Sequence, residues 1–132
     1  MLRKERMFGR KGQSIVETAL ILPIIILVLA GIIDFGLMFN NYLVIINTSR
    51  EAARNAAVGA TDSEIANLVA NLTISLDSSK VSVTIYPSQA MRKKGDEVVV
   101  TIKYDNALFT PIISSIVPNP LPLNSKTVMR ME

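Results

Sequence analysis

Two residues five positions apart, Gly12 and Glu17, have the types and spacing that suggest chemistry first. Gly12 ends a basic run, and Glu17 stands at the foot of an apolar stretch. A glycine at such a boundary lets extended backbone enter a protease cleft without side-chain obstruction. Cleavage after Gly12 would discard the basic residues and leave Gln13 as the new N-terminus. Glu17 would then be the fifth residue of the mature chain, just inside apolar surroundings. A carboxylate there is costly unless it reaches the interface or meets a positive charge. The freed α-amino group of a neighbouring subunit is such a charge. On position alone, snorkelling of Glu17 to the cytoplasmic interface is an equal alternative.

Other groups stand further along. Asp34 falls near the far end of the apolar stretch, where it would pair with a basic group on a partner helix or on a secretion channel, or cap the stretch at headgroup level. Arg50, Glu51 and Arg54 share one helix face. Glu51 and Arg54 are neighbours at three-residue spacing, on a face that is either solvated or a docking patch for a partner. Arg92-Lys93-Lys94 forms a basic loop tip, suited to anionic headgroups or simply to solvent. Without interleaved aromatics it does not point to nucleic acid. The chain has no Cys and no His, which removes disulfides, thiolate nucleophiles, Cys/His zinc sites and the commonest general base. No phosphate loop, metal cluster or nucleophile–base pair is evident, so neither an enzyme nor a bound cofactor is expected.

The elements that position these residues follow from charge and periodicity. The net charge of +3 over 132 residues is uneven. Arg3, Lys4, Arg6, Arg10 and Lys11 against Glu5 give residues 1–12 a net charge of +4. Residues 13–132 carry nine basic and ten acidic side chains. The basic character thus belongs to the leader. Thr18–Ile33 is uncharged for 16 residues. Counted on to Phe39 the stretch makes a helix of roughly 33 Å, enough to cross a bilayer core. Pro23 is tolerated there. The basic leader stays in the cytoplasm under the positive-inside rule, which sends the rest outside. The expected organisation is a cytoplasmic leader over 1–12, a transmembrane helix over 13–39 and an extracytoplasmic domain over 40–132.

Tyr42–Val58 continues as an amphipathic helix. Asn47, Arg50, Glu51, Arg54 and Asn55 lie on one face, and Ile45, Ile46, Ser49, Ala52, Ala53, Ala56 and Ala57 on the other. Small residues at four-residue spacing permit close approach of a sheet or another helix. Gly59 breaks the pattern. Thr61-Asp62-Ser63-Glu64 has the form of a capping box, opening a short helix over about 62–72. Val81, Val83 and Ile85 alternate with Ser82, Thr84 and Tyr86, and Val98, Val100, Ile102 and Tyr104 with Val99, Thr101 and Lys103, joined through a hairpin loop from Pro87 to Asp96. Thr110-Pro111 starts a helical turn through Ile112, Ile113, Ile116 and Val117, ended by Pro118, Pro120 and Pro122. Leu121, Leu123, Ser125, Thr127, Met129 and Met131 line one face of a last strand. The predicted class is α+β: a long N-terminal helix, transmembrane then amphipathic, packed on a small antiparallel sheet.

Gly12-Gln13-Ser14-Ile15-Val16-Glu17, with Ala19-Leu20-Ile21-Leu22-Pro23, resembles the start of TadE-like proteins, pseudopilins of the Tad/Flp pilus systems. The likeness continues through Gly31-Ile32-Ile33-Asp34-Phe35-Gly36 and Ser49-Arg50-Glu51-Ala52-Ala53-Arg54, with an echo in Val128-Met129-Arg130-Met131-Glu132. Thr18 departs from it, standing where processed members often carry an aromatic residue. The resemblance implies a pilin-like architecture and cleavage after Gly12 by a prepilin peptidase. It also implies partnership with other pilin and pseudopilin subunits and with Tad secretion machinery, and a minor-subunit role in pilus assembly or adhesion. Two rivals compete with it. One is a secreted binding module released by signal peptidase after Val28-Leu29-Ala30. The other is an uncleaved, membrane-anchored adaptor.

Overall fold

A computed structural model describes the backbone of residues 2–132 and the side chains of residues 9–132. The side chains of Arg3, Lys4, Glu5 and Arg6, which supply half of the leader's net charge, lie outside the described residues. One helix, α1 (Leu2–Ala57), dominates the molecule. It is followed by α2 (Asp62–Leu72), β1 (Val81–Tyr86), β2 (Glu97–Asn106), α3 (Pro111–Ile116) and β3 (Leu121–Arg130). The architecture is the expected α+β one. A three-stranded antiparallel sheet of order β1-β2-β3 covers the second half of α1.

The helix persists because Leu2 to Ala57 contains a single proline, Pro23, and no cluster of turn residues. It stops where its backbone is captured. The N–H of Gly59 donates to the Ala56 carbonyl at 3.1 Å and that of Ala60 to the Asn55 carbonyl at 3.0 Å, a Schellman pair. The pair needs a left-handed residue, and Gly59 supplies φ of 94°. Thr61 then caps α2. Its hydroxyl accepts from the Glu64 N–H at 3.2 Å, and its own N–H donates to Glu64 Oε2 at 2.8 Å. The Thr61 N–H, followed by the Thr61 hydroxyl, holds the Glu64 carboxyl below its ordinary value. The sign follows: this cap stabilises α2 above the ordinary glutamate range and is lost as pH falls through the lowered value.

The core is a helix-on-sheet layer. Ile45, Ala52, Ala53 and Ala56 are fully buried on α1, facing Val98, Val100 and Ile102 of β2, with Leu123 of β3 nearby. Ile65 and Val69 of α2 close the other side. Burying each large aliphatic side chain contributes about 1.5–3 kcal/mol. The alanine stretch lets the sheet lie close to the helix axis. Ser49 sits fully buried in the same face. Its hydroxyl meets those of Ser125 at 2.7 Å and Thr127 at 2.8 Å, and donates to the Ile46 carbonyl at 3.0 Å. This satisfied cluster ties α1 to β3. At the far end of the helix, the Glu132 N–H donates to the Ala57 carbonyl at 3.0 Å.

Strand register explains which end of the sheet lies nearer the apolar half of α1. Asn106 pairs with Leu121 and Glu97 with Arg130. Asn41 Nδ2 donates to Asn106 Oδ1 at 2.8 Å. The Asn106–Leu121 end therefore sits beside residue 41, just beyond the expected span. The Glu97–Arg130 end sits beside Ala57.

Candidate functional site

The first candidate region is the N-terminal boundary. Gly12, Gln13 and Glu17 all lie within α1 and are exposed. The helix does not begin after Gly12, as an extended cleavage segment would require, but runs through it. Arg10, Lys11 and Gln13 are good helix formers, and one interior glycine costs only about 1 kcal/mol. Gln13 Nε2 approaches Glu17 Oε1 at 3.5 Å, one turn away. Thr18 back-bonds, its hydroxyl donating to the Ser14 carbonyl at 2.9 Å. A Cβ placed on Gly12 meets nothing within 4 Å. Gly9–Ala57 is long and apolar enough to cross a membrane. Its most apolar portion is almost wholly uncovered by the rest of the chain, with Leu20, Ile24, Ile32 and Ile33 all exposed.

The second region is built on Asp34. Its side chain is only 4% exposed. It accepts two backbone hydrogen bonds, from the Phe109 N–H at 3.1 Å and the Thr110 N–H at 2.7 Å. Both donors lie in the connection between β2 and α3. Thr110 is the N-cap residue of α3 but makes no side-chain cap of its own; the Asp34 carboxylate instead fixes the backbone that leads into the helix. Charged acceptors of this kind make the stronger class of hydrogen bond. The carboxylate is thus engaged within its own chain. Beside it, Ile113 Cδ1 lies 3.2 Å from where a Gly31 Cβ would stand, so the glycine lets α3 press against α1. Gly31, Asp34, Phe35, Met38, Leu108, Ile113, Val117 and Leu121 enclose a pocket of about 230 Å³.

The remaining charged groups separate in space. Arg54 pairs with Glu51 at 3.1 Å on an exposed face, and Arg50 is exposed beside them. Neither the N-terminal boundary nor Asp34 contacts them. Among the described residues, no group of three or more acidic side chains converges as a metal site requires.

Arg92 behaves differently from Lys93 and Lys94. Its side chain is 3% exposed, paired with Asp62, and donates to the carbonyls of Pro87 at 3.0 Å and Ala60 at 3.1 Å. It locks the loop before β2 to the start of α2, while Lys93 and Lys94 stay exposed. Replacing Arg92 with alanine is expected to destabilise the sheet-bearing domain by about 2 kcal/mol, because bonds to a charged donor are lost and buried acceptors go unpaired. Lys93→Ala is expected to change stability by less than about 0.5 kcal/mol. Chemical denaturation of the two variants checks the contrast.

Fold and site together define one exposed apolar helix, long and apolar enough to cross a membrane, prolonged into the scaffold of a small α+β domain. Residues 12–54 match the family described as TadE-like protein. Through that segment, from Gly12 to Arg54, the chain is similar to the TadE-like proteins. No curated protein and no solved structure matches the chain.

Proposed function

We propose that this chain is a minor, pilin-like (pseudopilin) subunit of a Tad/Flp-type pilus, acting in pilus assembly or adhesion. Residues 13–39 anchor it in the cytoplasmic membrane, with residues 1–12 inside and residues 40–132 outside. A prepilin peptidase removes the leader after Gly12. Its partners are other pilin and pseudopilin subunits, the Tad secretion machinery and membrane lipid. Its role is structural rather than catalytic, without a cofactor.

The observation that carries this reading is the TadE-like match over residues 12–54, which takes in Gly12, Glu17 and the helix as far as Arg54. The structure adds physical support. The part of α1 from residue 9 to residue 29 is left uncovered, while Ile45 to Ala57 form the floor of the folded domain. A helix divided in this way can pack against neighbouring helices at one end and present a domain at the other. Glu17 is exposed, with Gln13 one turn away, and in this reading it lies at the membrane edge. It is placed to accept the α-amino group of a neighbouring subunit at similar depth.

The mature N-terminus tests the reading. In cells co-expressing a prepilin peptidase, mass spectrometry should find Gln13 first. A chain beginning at Gly31 would instead identify a secreted module, and an intact Met1 an anchored adaptor. Glu17→Ala is expected to leave the chain in the membrane fraction while reducing its incorporation into pili severalfold. Normal piliation in that variant would remove Glu17 from the assembly step.

A further inference from the structure

We propose that the segment from Ala107 to Val117 is a second membrane element, inserted into the outer leaflet beside the spanning helix. The inference rests on the reading of α1 as a span and extends it to a part of the chain with no TadE-like match. Three independent features converge on it.

The first is composition. From Asn106 to Ser125 there is no charged residue. Within that run Phe109 is 77% exposed, Ile116 is 78% and Ile112 is 47%. Large apolar side chains this exposed, on one short element, mark a surface meant for something other than water.

The second is depth. The segment packs on α1 below Asp34, on the side toward the N-terminus. A groove of about 530 Å³ is lined on one wall by Leu22, Ile26 and Ala30 and on the other by Thr110, Pro111 and Ile112. Asp34 lies 17 residues beyond Glu17, about 25 Å along a helix. With Glu17 at the inner boundary, Asp34 is still inside a hydrocarbon core about 30 Å thick. The groove residues from Ile26 to Ala30 lie about 6–12 Å deeper than Asp34 by the rise of the helix. Measured from the outer boundary of such a core, about 5 Å beyond Asp34, they lie about 10–16 Å deep, at and beyond the about 5–10 Å reached by interfacial helices.

The third is the polar bookkeeping. Non-helical backbone at membrane depth is tolerated only where its N–H and C=O groups find partners within the protein. Asp34 takes the Phe109 and Thr110 N–H groups. Asn119 accepts from the Leu108 N–H at 3.1 Å and donates to the Leu108 carbonyl at 3.4 Å. The Ser114 and Ser115 hydroxyls turn back onto the Pro111 and Ile112 carbonyls at 2.8 and 2.7 Å. The Ser114 N–H reaches the Thr110 carbonyl and the Val117 N–H the Ile113 carbonyl. These bonds meet that requirement while Phe109 and Ile116 turn outward. Lipid is therefore the occupant that fits, in preference to a second protein surface.

The chain has no tryptophan, so single tryptophans report position cleanly. The full-length protein is reconstituted in phosphatidylethanolamine/phosphatidylglycerol vesicles carrying Phe109→Trp, Ile116→Trp, Ile24→Trp or Tyr86→Trp. Lipid brominated in mid-chain and aqueous iodide serve as quenchers. Ile24 marks the span. Tyr86, 71% exposed, marks the end of the sheet remote from the membrane. The expected result is a blue-shifted emission at positions 109 and 116 that loses most of its intensity to bromolipid and little to iodide, as at position 24. Position 86 should show the reverse. Iodide quenching at 109 and 116, with bromolipid quenching at 24, overturns the inference and leaves the span standing. Shielding of 109 and 116 from both quenchers also overturns it, because a protein surface then covers them. Failure of bromolipid at position 24 overturns the span itself, and the inference with it.

Discussion

Asp34→Ala is expected to release the segment around Phe109 and Thr110 from α1 while leaving the sheet folded. The carboxylate accepts both of those backbone N–H groups, immediately before α3. Alanine removes both acceptors and leaves two donors facing an apolar pocket, so the connection must move to satisfy them elsewhere. Hydrogen exchange read by mass spectrometry on the full chain in bilayer discs should be at least about tenfold faster over the peptide containing Phe109 to Ile116, since bonds to an ionised acceptor are the strong kind. Peptides covering Val98–Ile102 should keep their protection, because the β1-β2-β3 ladder and the α1 alanine face do not involve Asp34. Asp34→Asn keeps the shape and one acceptor oxygen, so its effect should fall between wild type and alanine. Unchanged exchange at Phe109 and Thr110 in the alanine variant would show that packing against Gly31 and Phe35 alone holds the segment. A loss of pilus assembly in the same variant then has a structural route. It would follow from a displaced connection rather than from a missing charge on a partner helix.

The parts of the fold that were legible in the sequence are those whose signal is local. The face Ile45, Ile46, Ser49, Ala52, Ala53, Ala56, Ala57 has helical period, and all but the half-buried Ile46 are buried where that period puts them, with Thr48 buried beside them. Val98, Val100, Ile102 and Tyr104 alternate, and all four face the core. Thr61 and Glu64 form the capping box their spacing announces. Strand order was not legible, because alternation assigns faces and not neighbours. The two connections then select the simplest arrangement, each strand beside the one before it.

What escaped sequence reading has a common cause. Asp34 and Arg92 are charged residues that answer backbone groups far away in the chain. Phe109 and Thr110 offer Asp34 their N–H groups, and Pro87 and Ala60 offer Arg92 their carbonyls. Every residue type but proline carries the backbone donor, so no pattern of side chains announces such a partner. A usable signal was present for one of the two. The charge-free run from Asn106 to Ser125 holds Phe109, Ile112 and Ile116 outside any strand pattern. Apolar residues that fit neither the core nor a period have to be placed somewhere, and the span is the apolar surface nearest to them.

Gly12→Arg is expected to abolish removal of the leader, leaving essentially all of the chain at full length on an immunoblot of cells with an active prepilin peptidase. The substitution is clean with respect to the fold, since a side chain at position 12 has open space around it. Two effects act in the same direction. Arginine puts a long side chain where the cleft must close on bare backbone. It also strengthens the helix that runs through the cut site, by about 1 kcal/mol relative to glycine. A peptidase must hold its substrate extended, so α1 has to unwind around Gly12 before cleavage. Gly12→Ala separates the two effects. Alanine stabilises the helix as much as arginine does, but adds only a methyl group to the cleft. Cleavage of the alanine variant at near-normal rate, with arginine blocked, assigns the requirement to steric access. Severalfold slower cleavage of the alanine variant assigns part of it to unwinding, and Gly12 then serves as the weak point of an otherwise continuous helix. Normal processing of Gly12→Arg would place the cut elsewhere, and the fifth-residue position of Glu17 would go with it.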